Sequence, residues 1–133
     1  MELHSDQMVP VSGYLTTLEG KRLPVEHCVE MTNGWMIEDR LMRAIDGHVT
    51  VVNKPTFGSY DLVELIQEDL EEPDEIVLCG YCTSICVMAN AVLLRAKFPN
   101  AKISIKEDCC GCVTRESHDA AIEAMKMQQI DII

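Results

Sequence analysis

The sequence predicts an α/β fold built on a parallel sheet flanked by helices. Two observations carry this. From residue 48 onward, short β-branched or apolar runs alternate with helical segments, the pattern of strand–helix–strand units. The run EIVLCGY (75–81) is apolar from Ile76 onward, as a strand buried on both faces of a parallel sheet requires. Crossovers in such a sheet are right-handed. At 133 residues the chain is expected to form one domain over 1–133, with a loop-rich part (1–35) and an alternating part (36–133).

Residues 1–35 are punctuated by Pro10, Gly13, Gly20, Pro24 and Gly34 without sustained periodicity, which reads as loop. MIEDRLMRAI (36–45) sets Ile37, Leu41, Met42 and Ile45 on one helical face. HVTVVNK (48–54) is short and β-branched, a strand. Ser59 is positioned to cap YDLVELIQEDL, whose Asp61 lies near the positive helix end. After EIVLCGY, CTSICVMANAVLLRAKF is apolar nearly all round and predicts a buried helix, stopped by Pro99-Asn100. AKISIKE (101–107) is the next strand and DCCGCV a turn. Thr114 can cap RESHDAAIEAMKMQ, and IDII closes the chain as a strand.

Apolar residues make up 47% and charged residues 25%, which excludes a disordered or collagen-like chain. Eleven basic against 22 acidic residues give a formal charge of −11, so neither nucleic acid nor an acidic membrane surface is an expected partner. Seven cysteines, six of them between Cys79 and Cys112, do not suit a paired disulfide scaffold. The N-terminal residues carry no secretory pattern. Together these predict a cytoplasmic protein with reduced thiols.

In a parallel α/β sheet the site lies at the carboxyl ends of the strands. Those ends are Asn53-Lys54, Gly80-Tyr81-Cys82 and Glu107-Asp108. Cys86 follows one turn into a helix, where amide N–H groups and the helix dipole favour thiolate. Lys54 can then hold a thiolate or a developing oxyanion. The alternative is a core cysteine and a surface lysine. CGYC (79–82) can be read as a redox pair, although Cys79 lies inside the strand. DCCGC (108–112) with Cys79 and Cys82 can be read as a metal site, although its spacing lacks clean C-x-x-C pairs. His27 in LPVEHC, and Glu2 with His4 at the N-terminus, combine imidazole and carboxylate and can bind a divalent metal such as zinc. His118, in the first turn of the last helix, reads as structural.

NKPTFGSYDL (53–62), GYCTSICV (80–87) and YLTTLEGKRLPVEHCVEMTNGW (14–35) together resemble the isochorismatase-like cysteine hydrolases, and EGKRLPVEHC resembles their nicotinamidase-like branch. The resemblance implies a cysteine nucleophile at Cys86, a partner lysine at Lys54, and a non-proline cis peptide at Tyr81–Cys82 that aims the Cys82 and Cys86 amides into an oxyanion hole. It implies thiolate attack on a small carboxamide, loss of ammonia and hydrolysis of the thioester. His27 matches a metal-loop histidine; Glu2 and His4 match the remaining metal pair poorly. Trp35, Phe57 and Tyr81 are aromatic and can wall a flat substrate.

The resemblance also implies an aspartate at the end of a first apolar strand. Asp6 has no apolar run before it, and the chain is expected to begin at the family's second strand, without that strand and its aspartate. Strand 48–54 then lacks a neighbour. It is expected either to pair directly with strand 75–81 or to leave a gap filled by a second copy of the chain. Three functions follow: an amidohydrolase impaired by the missing aspartate, an inactive relative serving as a binding or oligomerisation module, or a thiol redox or metal protein.

Overall fold

The computed structural model describes residues 3–8, 14–44 and 49–133. The chain forms two compact units, Met1–Leu62 and Val63–Ile133.

In the first unit, β1 (Leu3–Met8) pairs in parallel with β2 (Val49–Lys54), with Asp6 opposite Val52 and Met8 opposite Lys54. This corrects two expectations. A strand stands where the sequence reads as loop, and β2 takes β1 as its neighbour; no ladder between residues 48–54 and 75–81 is present among the described residues. LHSDQM lacks the apolar alternation of a half-buried strand, so its extended form comes from the ladder with β2 and not from local preference. Tyr14 is buried, and α1 (Leu18–Arg22) is capped by Thr17, whose hydroxyl accepts from the Gly20 amide at 3.0 Å. Gly20 lies directly against the Tyr14 carbonyl, where a Cβ would collide with backbone. In α2 (Asp39–Ala44) the carboxylate of Glu38 accepts from the Arg40 and Leu41 amides. No α2 residue is buried, so the apolar face expected of Leu41 and Met42 stays in solvent.

Residues Tyr60–Leu70 form α3, capped as expected by Ser59, whose Oγ accepts from the Leu62 amide at 3.1 Å. Leu62, Val63 and Ile66 form its buried stripe.

The second unit holds a parallel sheet in the order β3 (Glu75–Tyr81), β4 (Lys102–Gly111), β5 (Asp131–Ile132), with α4 (Met88–Lys97) and α5 (Arg115–Met127) packed together beside it. Its core is Leu94, Ile103, Ile105, Ile122, Met125 and Ile130. β3 is not buried on both faces: its residues alternate between exposed and half-buried, with Val77 51% and Tyr81 79% exposed. Its ladder runs on one side, to β4 alone among the described residues. α4 is likewise buried on one side only, through Asn90, Ala91 and Leu94, with Val92 on the outer side.

β4 is longer than its sequence suggests. Between Leu78 and Gly80, β3 advances two residues while β4 advances five, from Ile105 to Cys110. The ladder then resumes at Gly80–Cys110 and Tyr81–Gly111. The strand end is therefore Gly111-Cys112 and not Glu107-Asp108, and Cys109-Cys110 belong to a strand, not a turn.

Candidate active site

The carboxyl end of β3 turns sharply into a helix. Gly80 adopts φ +122°, a conformation L side chains rarely take, and the Tyr81–Cys82 peptide bond is cis. Cys82 is extended (φ −92°, ψ 145°), and its carbonyl accepts from the amides of Ile85 (3.0 Å) and Val87 (3.2 Å). The second of these closes a π turn over Thr83–Val87, which runs directly into α4. Such single wide turns recur at functional sites. Cys86 sits half-buried inside this turn, and its carbonyl accepts from Asn90 Nδ2 at 3.0 Å.

The turn is anchored from below by Thr83, which is fully buried. Its hydroxyl donates to the Gly111 carbonyl at 3.0 Å and lies 2.9 Å from His118 Nδ1. A hydroxyl has one proton to give, so toward His118 it accepts and Nδ1 carries the hydrogen. His118, buried in the first turn of α5, reaches Glu107 with Nε2 at 3.3 Å. Its expected structural role thus takes a specific form, a tie between α5, β4 and the elbow.

Cys112, which the sequence offered only as one thiol of a possible redox or metal group, stands in a surrounding of its own. Its sulfur lies 3.0 Å from Ser84 Oγ and 3.2 Å from Ser117 Oγ. Burial alone would raise its pKa, but hydrogen bonds from Ser117 and Ser84 and from the Ser84 and Val113 amides outweigh that and bring it to about 6. Cys82 moves the other way, pushed up by burial and by the neighbouring Cys112 and Cys86. Cys110 and Cys109 are also pushed up, each chiefly by desolvation. A signal for Cys112 was present in the sequence: it precedes the Thr114 cap of a helix, where S–H acidity rises.

Lys54, at the end of β2, is buried at 2% exposure and is not the surface lysine of the alternative reading. Its ammonium donates to the carbonyls of Thr56 (2.9 Å) and Phe57 (2.8 Å). Lys54 belongs to the first unit and Cys86 to the second. Of the aromatic residues, Trp35 and Phe57 are half-buried in the first unit, while Tyr81 lies largely in solvent.

His27 is half-buried edge-on to Tyr14, ring centroids 5.7 Å apart, with Nδ1 2.6 Å from the Val25 carbonyl. Nδ1 therefore carries the proton and Nε2 the lone pair, the arrangement of a metal-ligating imidazole. His4 lies in β1 opposite Thr50; Glu2 falls outside the described residues. Among the described residues no three His, Cys, Asp or Glu side chains converge so as to hold a metal ion. The thiols of Cys79, Cys82, Cys109, Cys110 and Cys112 therefore do not form the cysteine metal cluster. The described residues do not complete a metal centre around His27.

A cavity of about 830 Å³ lies at the opposite end of the second unit's sheet, between Glu64, Glu68, Glu71, Lys97 and Pro99. It borders the residues that lead into β3 and β4, away from the strand ends that carry Cys86 and Cys112.

An elbow bearing Cys86 at the end of a parallel strand, with a buried strand-end lysine elsewhere in the chain, is the pattern the sequence motifs implied. The isochorismatase domain matches residues 4–133. The chain belongs to the isochorismatase family. The fold of this isochorismatase-family member is shared by the nicotinamidase of Bacillus subtilis, with a TM-score of 0.79 and 21% identity over 97% of this chain and 72% of that one. A pyrazinamidase/nicotinamidase of Streptococcus mutans gives 0.78 and 20%, over 99% and 74%. The pyrazinamidase of Pyrococcus horikoshii, solved in complex with zinc, gives 0.74 and 17%, over 99% and 73%. Among the described residues of this family member, no helix is long and apolar enough to cross a membrane.

Proposed function

We propose that the protein is a cysteine-dependent amidohydrolase of the nicotinamidase-like branch, acting on a small carboxamide in the cytoplasm. The observation that carries this reading is the Tyr81–Val87 elbow, which presents Cys86 at a strand-to-helix turn in a member of the isochorismatase family. The neighbours described as nicotinamidases and pyrazinamidases support the amide as substrate class.

In this mechanism the Cys86 thiolate attacks the carboxamide carbon, and the carbonyl electrons move to oxygen. The amides of Cys82 and Cys86 stabilise that oxyanion. The intermediate collapses, the C–N bond breaks, and the nitrogen leaves as ammonia with a proton from the site. Water then attacks the thioester, releasing the acid and restoring the thiol. The family resemblance assigns Lys54 the role of cationic partner to the thiolate and oxyanion, and makes Trp35, Phe57 and Tyr81 candidates for an aromatic wall. A divalent metal such as zinc would take His27 through Nε2, but the described residues do not complete its ligand set, and no step depends on it.

The proton acceptor for Cys86 sets the rate. The family's strand-end aspartate is the expected base, and Asp6 is the one acidic residue in the described strands of the first unit. It stands in a polar strand two residues short of the position opposite Lys54. We therefore expect slow turnover, since losing a positioned base typically costs about 10²–10⁴-fold.

Ammonia release from nicotinamide and pyrazinamide, compared with Cys86→Ala, tests the proposal. A slow release in the parent chain that disappears in the variant is expected. Equal release from both would remove the hydrolase reading in favour of an inactive relative acting as a binding or oligomerisation module.

A further inference from the structure

We propose that Cys82 and Cys112 form a peroxide-responsive thiol pair that closes to a disulfide across the ends of β3 and β4. Three observations place the two residues side by side. The ladder pairs Gly80 with Cys110 and ends at Tyr81 with Gly111, and Cys82 and Cys112 are the residues that directly follow this last pair. Beyond them the chains remain in contact, through Thr83 Oγ1 to the Gly111 carbonyl at 3.0 Å and Ser84 Oγ to the Cys112 sulfur at 3.0 Å. The Cys82 thiol is pushed up first by burial and then by the nearby Cys112. The last ladder pair, one residue before each cysteine, sits on strands about 4.8 Å apart, and a disulfide spans Cα separations of about 4.4–6.8 Å.

The chemistry divides between the two sulfurs. Cys112 is the attacking group: two hydroxyls and two amides surround its sulfur and favour thiolate near neutral pH. Its half-buried position admits a small oxidant. Cys82, whose thiol stays protonated, is the resolving group. The Cys112 thiolate displaces hydroxide from hydrogen peroxide and becomes a sulfenic acid. The Cys82 sulfur then attacks it, a S–S bond forms, and the sulfenic oxygen leaves as water with the Cys82 proton. Two thiols are oxidised, and one peroxide is reduced to two waters. The pair does not depend on the amidohydrolase reading, because neither sulfur is the proposed nucleophile.

The test treats the fully reduced full-length chain with one equivalent of hydrogen peroxide and blocks remaining thiols with N-ethylmaleimide. Non-reducing peptide mapping then locates the cross-link. A Cys82–Cys112 link is expected, absent from Cys112→Ser and Cys82→Ser but retained in Cys110→Ser. A link at Cys79–Cys109, Cys82–Cys86 or Cys109–Cys110 instead, or no link, overturns the proposal. Alkylation of Cys112 as a function of pH provides a second readout that needs no cysteine variant. Its midpoint is expected near 6. In Ser84→Ala, which removes one sulfur hydrogen bond, it should rise by roughly one pH unit. A midpoint at the ordinary thiol value in the parent chain overturns the assignment of Cys112 as the attacking sulfur.

Discussion

Cys112 and Lys54 show how far a residue's chemistry departs from its composition. A lysine at a strand end reads as surface, yet Lys54 is buried and gives its ammonium hydrogens to two backbone carbonyls. Such charge-assisted bonds offset the cost of removing the cation from water. Cys112 reads as part of a turn, yet its pKa is drawn down from 9.0 to about 6. Linkage makes this a stability statement. Between those values the unfolded chain holds the thiol proton and the folded chain does not, so stability rises with pH across that window. The contribution is complete above about pH 9 and is lost as pH falls through about 6. Cys82, Cys109 and Cys110 shift in the opposite direction, so the parent chain alone blends the effects. The difference in unfolding free energy between the parent chain and Cys112→Ser should therefore grow from pH 6 to pH 9, measured by urea titration. A difference that is flat in pH would contradict the thiolate.

The elbow is the element on which the proposed chemistry rests, and its support is polar. Thr83 holds Gly111 of β4 and His118 of α5 together beneath the π turn. Replacing His118 with alanine leaves a cavity and removes the donor to Thr83. This should cost about 1–3 kcal/mol by denaturant melt. His118→Asn, whose amide can donate from the Nδ1 position, should recover part of it; equal losses in both would show packing alone at work.

Most elements were legible because their signals are local. Ser59 and Thr114 announce α3 and α5 as caps, and the apolar positions of β2 and β3 mark strands. The misses share one physical cause. β1 is polar and is a strand only because β2 pairs with it. The end of β4 looks like a turn because Cys-Cys-Gly has little strand preference, and it is a strand because Tyr81 and Gly80 re-enter the ladder past a bulge. The surrounding of Cys112 was lost with that strand end. The elbow that carries Cys86 was legible because its motif is contiguous, from Gly80 to Val87.

At a larger scale, β3 is an edge strand of the second unit's sheet among the described residues. An apolar strand with a ladder on one side and Val77 half in solvent is a template for pairing with another chain. We expect concentration-dependent self-association through this strand. Val77→Lys should reduce it in light scattering while leaving the circular dichroism unchanged, because charge on an exposed strand blunts such pairing. Association that persists undiminished in the lysine variant would place the contact elsewhere. With a net charge of −11, repulsion between copies should weaken association at low salt and strengthen it as salt screens the charge.

Gly111 carries a consequence of a different kind. A side chain there would run into the Tyr81 ring, which lies down over the glycine. Tyr81 is mostly exposed, so the ring has room to swing aside and the backbone need not move. Position 111 therefore sets whether an aromatic ring lies flat on β4 or stands in solvent. Among descendants of this sequence the two positions are expected to change together.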